Sequence, residues 1–323
     1  MVRRLGFAVP LLAVLALMPA RAEASLSVFQ TFVGNYGVST DGFGSLSDSG
    51  QISAEIPGGA TIVAAYLYSS TFNSNGSASA TLNGNALTFT PLGVAAACCT
   101  LEAFRADVTG IVTAGYDGLG GIYNFNVVEQ NGGNQDGEAL VVVYSQAALP
   151  TTTIGILDGN TASAGDDTDI NFSQALDPTD AGFFAEMRLG IGFSCCDQKS
   201  NVTVNGTLIT QNAGNNDDSG VVANGALITV GGFDDPFSPM LPTYGEDHER
   251  YNLVPQISNG DTSIHVHTQN PSTDDNIFLA VFKVLGEGGV NAPPPNTVPE
   301  PASMTLLGLG LGAAALRRRF AKS

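Results

Sequence analysis

Acidic side chains are the residues of this sequence whose types and spacing could do chemistry. Carboxylates cluster among Gly, Asn and Thr at 165–170, 215–218, 233–236, 246–249 and 274–275. Carboxylate and amide oxygens close together in loops are the ligands that calcium prefers. We take the run Gly165-Asp-Asp-Thr-Asp-Ile170 as the candidate calcium loop, with Asp166, Asp167 and Asp169 as its ligands. No cluster has the full spacing of an EF-hand loop, so calcium is predicted from residue type alone.

The histidines offer a second candidate metal site. His265 and His267 alternate along a predicted strand, so both would point to one face, and His248 could complete the site. The alternative is that they are solvated polar residues on an outer face. In the internal alignment given below, Asn126 and Val128 occupy the same two places, which favours the alternative.

Catalytic motifs are missing from the sequence. It contains no Gly-x-Ser-x-Gly, His-Glu-x-x-His, phosphate loop or Gly-x-Gly-x-x-Gly. Paired carboxylates for glycoside cleavage are not excluded, because a sequence does not give the separation that this chemistry requires. Arg105 and Arg188 are expected to pair with local carboxylates rather than with a substrate. We predict a protein that is not an enzyme.

Carbohydrate binding would need an aromatic platform. The chain has no Trp, so the candidates are the aromatic residues of polar segments, namely Tyr116, Tyr123, Phe233, Phe237 and Tyr244. Aromatic residues in strands more often belong to the core.

The elements that must position these residues are predicted to be strands. Short β-branched and aromatic runs alternate with turn residues, and no convincing amphipathic helix is present. The predicted strands are 27–33, 61–72, 78–90, 103–112, 121–129, 138–146, 153–157, 183–193, 201–210, 221–230, 251–257, 263–268 and 277–284. This pattern predicts an all-β fold built from β-sandwiches of jelly-roll or immunoglobulin-like type.

The two series of strands also resemble each other. Residues 80–88 (ATLNGNALT) match 202–210 (VTVNGTLIT), with an Asn-Gly hairpin signal in the same place. Residues 127–144 align without a gap with 266–283, and 104–107 corresponds more weakly to 250–252. We therefore predict a tandem duplication, with sandwich modules at 25–148 and 149–286 and a Pro-rich spacer at 287–297.

Charge excludes one class of partner. Outside the two terminal signals described below, 5 basic and 28 acidic residues remain, a net charge of −23. Such a surface repels phosphate backbones, so nucleic-acid binding is not expected. The simplest interpretation is a solubilising surface.

Four cysteines form two adjacent pairs, Cys98-Cys99 and Cys195-Cys196. They do not occupy equivalent positions of the repeat. Bridges within each pair and links between the pairs both stay open, since the sequence does not show whether the pairs approach within about 7 Å. Neither pair has the spacing of usual zinc ligands.

The N-terminus has the pattern of a secretory signal peptide. Arg3 and Arg4 precede an apolar run from Leu5 to Met18, and small residues around Ala22 offer a cleavage site. We predict a signal peptide at 1–24, removed by signal peptidase.

The C-terminus contains a three-part signal. Val298, Pro299, Glu300 and Pro301 precede an uncharged run, Met304 to Leu316, and then Arg317, Arg318 and Arg319. An apolar run of this length is shorter than the roughly 20 residues that cross a bilayer comfortably, and the Arg cluster would stay cytoplasmic. The tail resembles the sorting signal of bacterial PEP-CTERM proteins. This resemblance implies a membrane-embedded processing enzyme called exosortase as partner, a sorting helix at 298–323 that contacts the inner membrane transiently, and release to the cell surface, the extracellular matrix or the medium.

Two functional hypotheses follow. The first is an exported, non-enzymatic structural or adhesive protein of the cell envelope or of an exopolysaccharide matrix. The second is a calcium-assisted carbohydrate-binding protein, with a secreted hydrolase as a further alternative.

Processing at both ends is directly testable. Mass spectrometry of the exported protein should find an N-terminus near Ser25 and a C-terminus near the Pro-Glu-Pro motif, because both signals are removed on the way out. Recovery of Arg317 to Arg319 in the mature secreted protein would contradict this.

Overall fold

The computed structural model describes residues 25–294 apart from 45–46, 73–76, 96–99, 132–133, 163, 193–199, 215–227 and 272–275. The predicted signal peptide, both cysteine pairs and the sorting tail therefore lie outside the described residues. Antiparallel strands dominate the described part, which contains one α-helix, α1 (Thr109–Gly115). The prediction of an all-β fold is confirmed.

The strands follow the chain in a regular order. They are β1 (Ser27–Gly34), β2 (Tyr36–Phe43), β3 (Ser49–Ile56), β4 (Thr61–Thr71), β5 (Ala80–Leu82), β6 (Asn85–Ala86), β7 (Thr90–Val94), β8 (Glu102–Asp107), β9 (Gly121–Glu129), β10 (Gln135–Ser145), β11 (Thr152–Asp158), β12 (Asp166–Phe172), β13 (Ala185–Gly192), β14 (Ser200–Val204), β15 (Thr207–Ala213), β16 (Thr229–Val230), β17 (Arg250–Asn252), β18 (Ser263–Gln269), β19 (Asn276–Leu285) and β20 (Gly288–Val290). Two 3-10 turns, Tyr244–Glu246 and Val254–Gln256, flank β17.

These strands form four sheets. Sheet I has the order β3-β9-β5-β6, and sheet II has the order β2-β10-β4-β8-β7. Sheet III has the order β1-β11-β19-β13-β16, with β17 also paired to β13, and sheet IV has the order β15-β14-β18-β12-β20. Sheets I and II come from the first half of the chain, and sheets III and IV come from the second half except for β1.

The sheets stack in the order I, II, III, IV. One cluster of buried side chains joins sheets I and II, around Leu67, Phe125 and Leu140. A second joins sheets III and IV, around Met187 and Phe282. A third, around Tyr68, Val141, Ile156 and Leu279, joins sheets II and III. The two inner sheets are thus covered on both faces, which explains why β10 and β19 are nearly continuous apolar runs.

The two halves share most of their topology. Each strand from β2 to β10 except β7 has a counterpart nine strands later, so that β2-β10-β4-β8 corresponds to β11-β19-β13-β17, and β3-β9-β5-β6 to β12-β18-β14-β15. Strand β7 pairs with β8, whereas β16 pairs with β13. The Asn-Gly hairpins also correspond, with φ of 48° and 77° at Asn83 and Gly84, and 46° and 78° at Asn205 and Gly206. Both turns need positive φ at two successive residues, which is why Asn-Gly recurs.

Side-chain contacts extend this correspondence and correct part of the alignment. Asn83 Oδ1 accepts the Asn126 N–H at 2.8 Å, and Asn205 Oδ1 accepts the His265 N–H at 2.9 Å. In the inner strands the ungapped alignment fails. It equates Leu140, which faces sheet I, with Leu279, which faces sheet II instead of sheet IV. Because a shift by one residue reverses the face of every side chain, the two segments align here only with an insertion of an odd number of residues in one of them.

Strand β1 departs from the predicted module boundary. It belongs to the segment 25–148 but pairs with β11 along Ser27–Gly34, at the edge of sheet III. The chain then enters sheet II through Asn35 alone, since β2 begins at Tyr36. The first strand therefore extends a sheet of the second half.

Several predicted elements differ from those observed. The proposed calcium loop is strand β12, because Thr168, Ile170 and Phe172 alternate inward. The end of the predicted strand 103–112 is helix α1, and the end of 251–257 is a 3-10 turn. Strands β2, β3 and β12 were not predicted, since Gly, Ser and Asp dilute their apolar residues.

Two ion-paired arginines lie where sheets II and III meet. Arg105 of β8 binds the Asp158 carboxylate of β11, and Tyr68 of β4 donates its hydroxyl to the same carboxylate at 3.2 Å. The Arg105 guanidinium also lies 3.4 Å from the ring centre of Phe29 on β1. From the other sheet, Arg188 of β13 donates to Thr40 Oγ1 of β2 at 2.9 Å. Each inner sheet therefore sends an arginine to the other.

Removal of the Asp158 carboxylate tests this interface. Asp158→Ala should lower the free energy of unfolding by about 3 kcal/mol, because it leaves a largely buried guanidinium unpaired. Urea unfolding measures the loss. Glu55→Ala, an exposed carboxylate on β3, is the control and should stay within about 0.5 kcal/mol of wild type. The double variant Arg105→Met with Asp158→Leu should recover most of the loss, and equal losses in the single and double variants would contradict the explanation.

Candidate functional site

The three aspartates predicted to bind calcium do not converge. Asp167 and Asp169 are exposed on one face of β12, whereas Asp166 points to the other face. Asp166 Oδ2 accepts the N–H groups of Ala162 at 2.7 Å and Leu26 at 3.3 Å, so it holds the entry to β12 against the entry to β1. A single ion cannot use all three carboxylates, because successive side chains of a strand point to opposite faces.

Asp167 and Asp169 instead meet the two histidines of β18. Asp169 Oδ1 lies 2.8 Å from His265 Nδ1, and Asp167 Oδ1 lies 2.8 Å from His267 Nδ1. His248 lies elsewhere, on the loop before β17, where its N–H donates to Ser238 Oγ at 2.8 Å. Among the described residues no group of three or more His, Cys, Asp or Glu is arranged to hold a metal ion. The exposed face of sheet IV therefore carries two Asp–His pairs.

The predicted aromatic platform is divided among separate places. Tyr116 and Tyr123 form an edge-to-face pair with ring centres 5.2 Å apart. The Tyr116 hydroxyl donates to Pro57 O at 2.7 Å, and Tyr123 binds Asp117. Their polar ends thus fix loops of the first half. Phe237 lies in the second half and is 45% exposed.

A buried pair of carboxyl groups lies between sheets I and II. Glu129 ends β9, and Glu138 of β10 is completely buried and accepts Gln135 Nε2–H at 2.7 Å. Burial, with the charge of Asp48, raises the pKa of Glu129 to about 7, and burial beside Glu129 raises the pKa of Glu138 well above its ordinary value. Because Glu138 has no exposed surface, this pair is enclosed rather than open to a polysaccharide chain.

A cluster of charges forms the floor of a groove in the second half. Glu186 and Arg188 lie two residues apart on β13, with Lys283 of β19 opposite Glu186 and Arg250 of β17 opposite Arg188. The Glu186 carboxylate receives Arg188 at 3.1 Å, Arg250 at 3.3 Å and Lys283 at 3.4 Å. Burial would raise the pKa of Glu186, but the three cations outweigh it and lower that pKa. Glu186 is therefore ionised and surrounded by positive charge.

Aromatic rings form the walls of this groove. Phe183 and Phe184 precede β13, and Phe237 comes from the loop between β16 and β17. Lys283 Nζ lies 4.9 Å from the ring centre of Phe184, and the Arg250 guanidinium lies 4.5 Å from that of Phe237. Cations over ring faces gain from the negative potential of the ring. The groove thus combines apolar walls with a cationic floor.

The groove is large enough for a small ligand. Its volume is about 470 Å³, within the range of small-molecule sites. Through Phe237 and Asn252 it continues into a second hollow of about 190 Å³, lined by Ile209, Met240 and Pro255. The two together form one surface alongside β17, which we call the β17 groove.

Only part of this site was predicted from the sequence. Phe237 was a platform candidate, and the expected pairing of Arg105 and Arg188 with carboxylates is confirmed. Lys283, Arg250 and Phe184 were missed. The sequence did contain one signal for them, because only five basic residues lie between the two terminal signals. Three of the five are Arg188, Arg250 and Lys283.

The buried carboxyl groups predict how stability depends on pH. Folded Glu129 and Asp41 titrate at about 7, whereas they ionise near 4.5 and 3.8 when unfolded. The protonated groups stabilise the fold fully at pH values below the pKa values of the unfolded chain. This stabilisation is lost as the pH rises through the folded pKa of about 7. We expect a lower urea midpoint at pH 8 than at pH 5.

The Glu129→Gln variant isolates one contribution. It should reduce the loss between pH 5 and pH 8 by on the order of 2 kcal/mol, because the amide does not titrate. The carboxyl groups whose pKa is lowered, such as Glu186, act below this window. An unchanged pH dependence in the variant would contradict the explanation.

Similarity to known proteins is found at the C-terminus of the chain. Residues 297–319 match the sequence model of the PEP-CTERM protein-sorting motif. No curated protein and no solved structure matches the chain. In the part of the chain that the structure describes, no helix is long and apolar enough to cross a membrane.

The matched segment includes Val298 to Pro301, the apolar run and Arg317 to Arg319. Such a tail implies transient anchoring in the membrane before release. The chain therefore carries a PEP-CTERM sorting signal and is an exported protein sorted by an exosortase-type enzyme.

Proposed function

We propose that the protein is a non-enzymatic structural and adhesive component of the cell envelope or of an exopolysaccharide matrix. The observation that carries this proposal is the continuous packing of four sheets through three buried clusters. Such a body is rigid, because close-packed interiors deform little. Rigidity suits a protein that fills space and holds other molecules, and the exported location supports the same role.

The proposal includes a tandem duplication of one sandwich module, at 25–148 and 149–286, with β1 of the first segment joined to sheet III of the second. It is supported by the matching strand orders and by the equivalent Asn-Gly hairpins. Further support comes from Arg105 and Arg250. Arg105 lies on β8, which pairs with β4, and Arg250 lies on β17, which pairs with the counterpart β13. Each of the two guanidinium groups stacks on a phenylalanine ring. The residue that follows β8 and the residue that follows β17 also make equivalent backbone hydrogen bonds. Val108 N–H donates to Ala65 O, and Leu253 N–H donates to Ala185 O.

The acidic surface fits the same role. A net charge of −23 outside the terminal signals keeps copies apart and hydrated. Carboxylates on this surface would also let calcium bridge the protein to an acidic polymer, which keeps calcium as a proposed partner. We further propose that the N-terminal segment 1–24 is cleaved by signal peptidase.

Fractionation of the producing cells tests the proposed role. The wild-type protein should be recovered mainly with the extracted exopolysaccharide, and its deletion should reduce attachment of cells to a surface. The matched control replaces Pro299 and Pro301 by Ala, which leaves the body intact but should retain the protein in the membrane fraction. Recovery of the wild-type protein only in the medium, with unchanged attachment, would sink the proposal.

A further inference from the structure

The β17 groove concentrates positive charge on a protein that is otherwise strongly acidic. Arg188, Arg250 and Lys283 meet a single carboxylate, Glu186, in direct contact. Four of the five body cations lie in the described residues, and the remaining one of those four, Arg105, is neutralised by Asp158. In direct ion pairs of the described residues, the groove is therefore the place where Lys and Arg side chains outnumber carboxylates, with the Asp235 carboxyl as a further acidic neighbour of Arg250.

Arg250 and Lys283 keep hydrogen-bond donors that are available to a ligand. Arg250 uses Nη1 for the carbonyl oxygens of Phe233 and Asp235 and Nη2 for Glu186, and Nη2 carries a second proton. Lys283 has three protons and one carboxylate contact. Their side chains are 19% and 27% exposed, so both reach the groove. The buried Nε of Arg250 also has no partner in the described residues.

The shape of the groove restricts the kind of anion. Phe237 is 45% exposed and Phe183 is half-buried, so flat apolar faces border the cationic floor. The second hollow extends the surface along β17, past the exposed side chain of Asn252. A ligand of linked rings that carry both a carboxylate and hydroxyl groups would contact all three features.

We propose that the β17 groove binds a carboxylated sugar unit of an acidic polysaccharide, with its carboxylate at Lys283 and Arg250 and its ring against Phe237. This inference rests on the proposed role in an exopolysaccharide matrix and names the chemistry of attachment. The groove needs no metal ion for this contact. Without calcium the acidic remainder of the surface repels a polyanion, so binding that needs no metal is confined to the groove and is weak for each sugar unit.

Titration calorimetry of the mature exported protein tests the proposal with four probes. They are an oligomer of galacturonic acid, its methyl ester, a neutral galactose oligomer and an oligoglutamate peptide, each with and without a chelator. The acid oligomer should bind at least tenfold more tightly than its methyl ester, which keeps the rings but loses the charge. Chelation should leave this binding unchanged.

Variants locate the site. Lys283→Met should weaken binding of the acid oligomer at least tenfold, whereas Lys283→Arg should retain it because the charge is kept. Phe237→Ala should weaken binding, and Leu119→Ala, which truncates a side chain that is 83% exposed in the first half, should not. Circular dichroism and melting temperature establish that each variant is folded.

Four outcomes would overturn the proposal: no binding of the acid oligomer, equal binding of acid and ester, undiminished binding by Lys283→Met, or loss of binding on chelation. Tighter binding of oligoglutamate would assign the groove to an acidic protein instead. None of these outcomes touches the fractionation experiment, so failure of the groove is distinguishable from failure of the matrix role.

Discussion

The burial of sheet II against sheet III is the constraint on which the rest of the structure depends. Val141, Ile156 and Leu279 belong to one buried cluster, so the centre of each inner sheet is covered on both faces. Each large apolar side chain so enclosed contributes roughly 1.5–3 kcal/mol. Strands β10 and β19 must therefore be apolar on both sides. This requirement joins the four sheets into one stack, and it leaves the outer faces of sheets I and IV free to be polar.

Buried charges occur where this apolar contact ends. Arg105 and Asp158 belong to different inner sheets, and so do Arg188 and Thr40. Buried ion pairs add little net stability but are costly to break. We infer that they fix how the two inner sheets align. Arg105 has one carboxylate, Asp158, to itself, whereas three cations share the single carboxylate of Glu186. Corresponding strands of the two halves thus form a structural contact in one half and a candidate binding groove in the other.

Edge protection explains another set of polar residues. Strand β3 ends sheet I, and two of its N–H groups are covered by side chains of β2, because Asp41 accepts from Ser53 and Ser39 accepts from Glu55 at 3.0 Å. In sheet IV the counterpart β12 is covered by β20 instead. Exposed strand edges promote pairing with other chains. Covering the edges of β3 and β12 therefore protects the protein from aggregation.

The sequence by itself determined the all-β class, the Asn-Gly hairpins and the sorting tail, because alternation, turn chemistry and a terminal signal are local properties. It also predicted that Arg105 and Arg188 pair with carboxylates. Only the tertiary structure decided that β1 joins sheet III, that Asp166 turns away from Asp167 and Asp169, and that Lys283 and Arg250 meet at Glu186. These results depend on strand register and on which sheets are covered twice. Both are set by contacts between residues far apart in the chain, which local patterns do not encode.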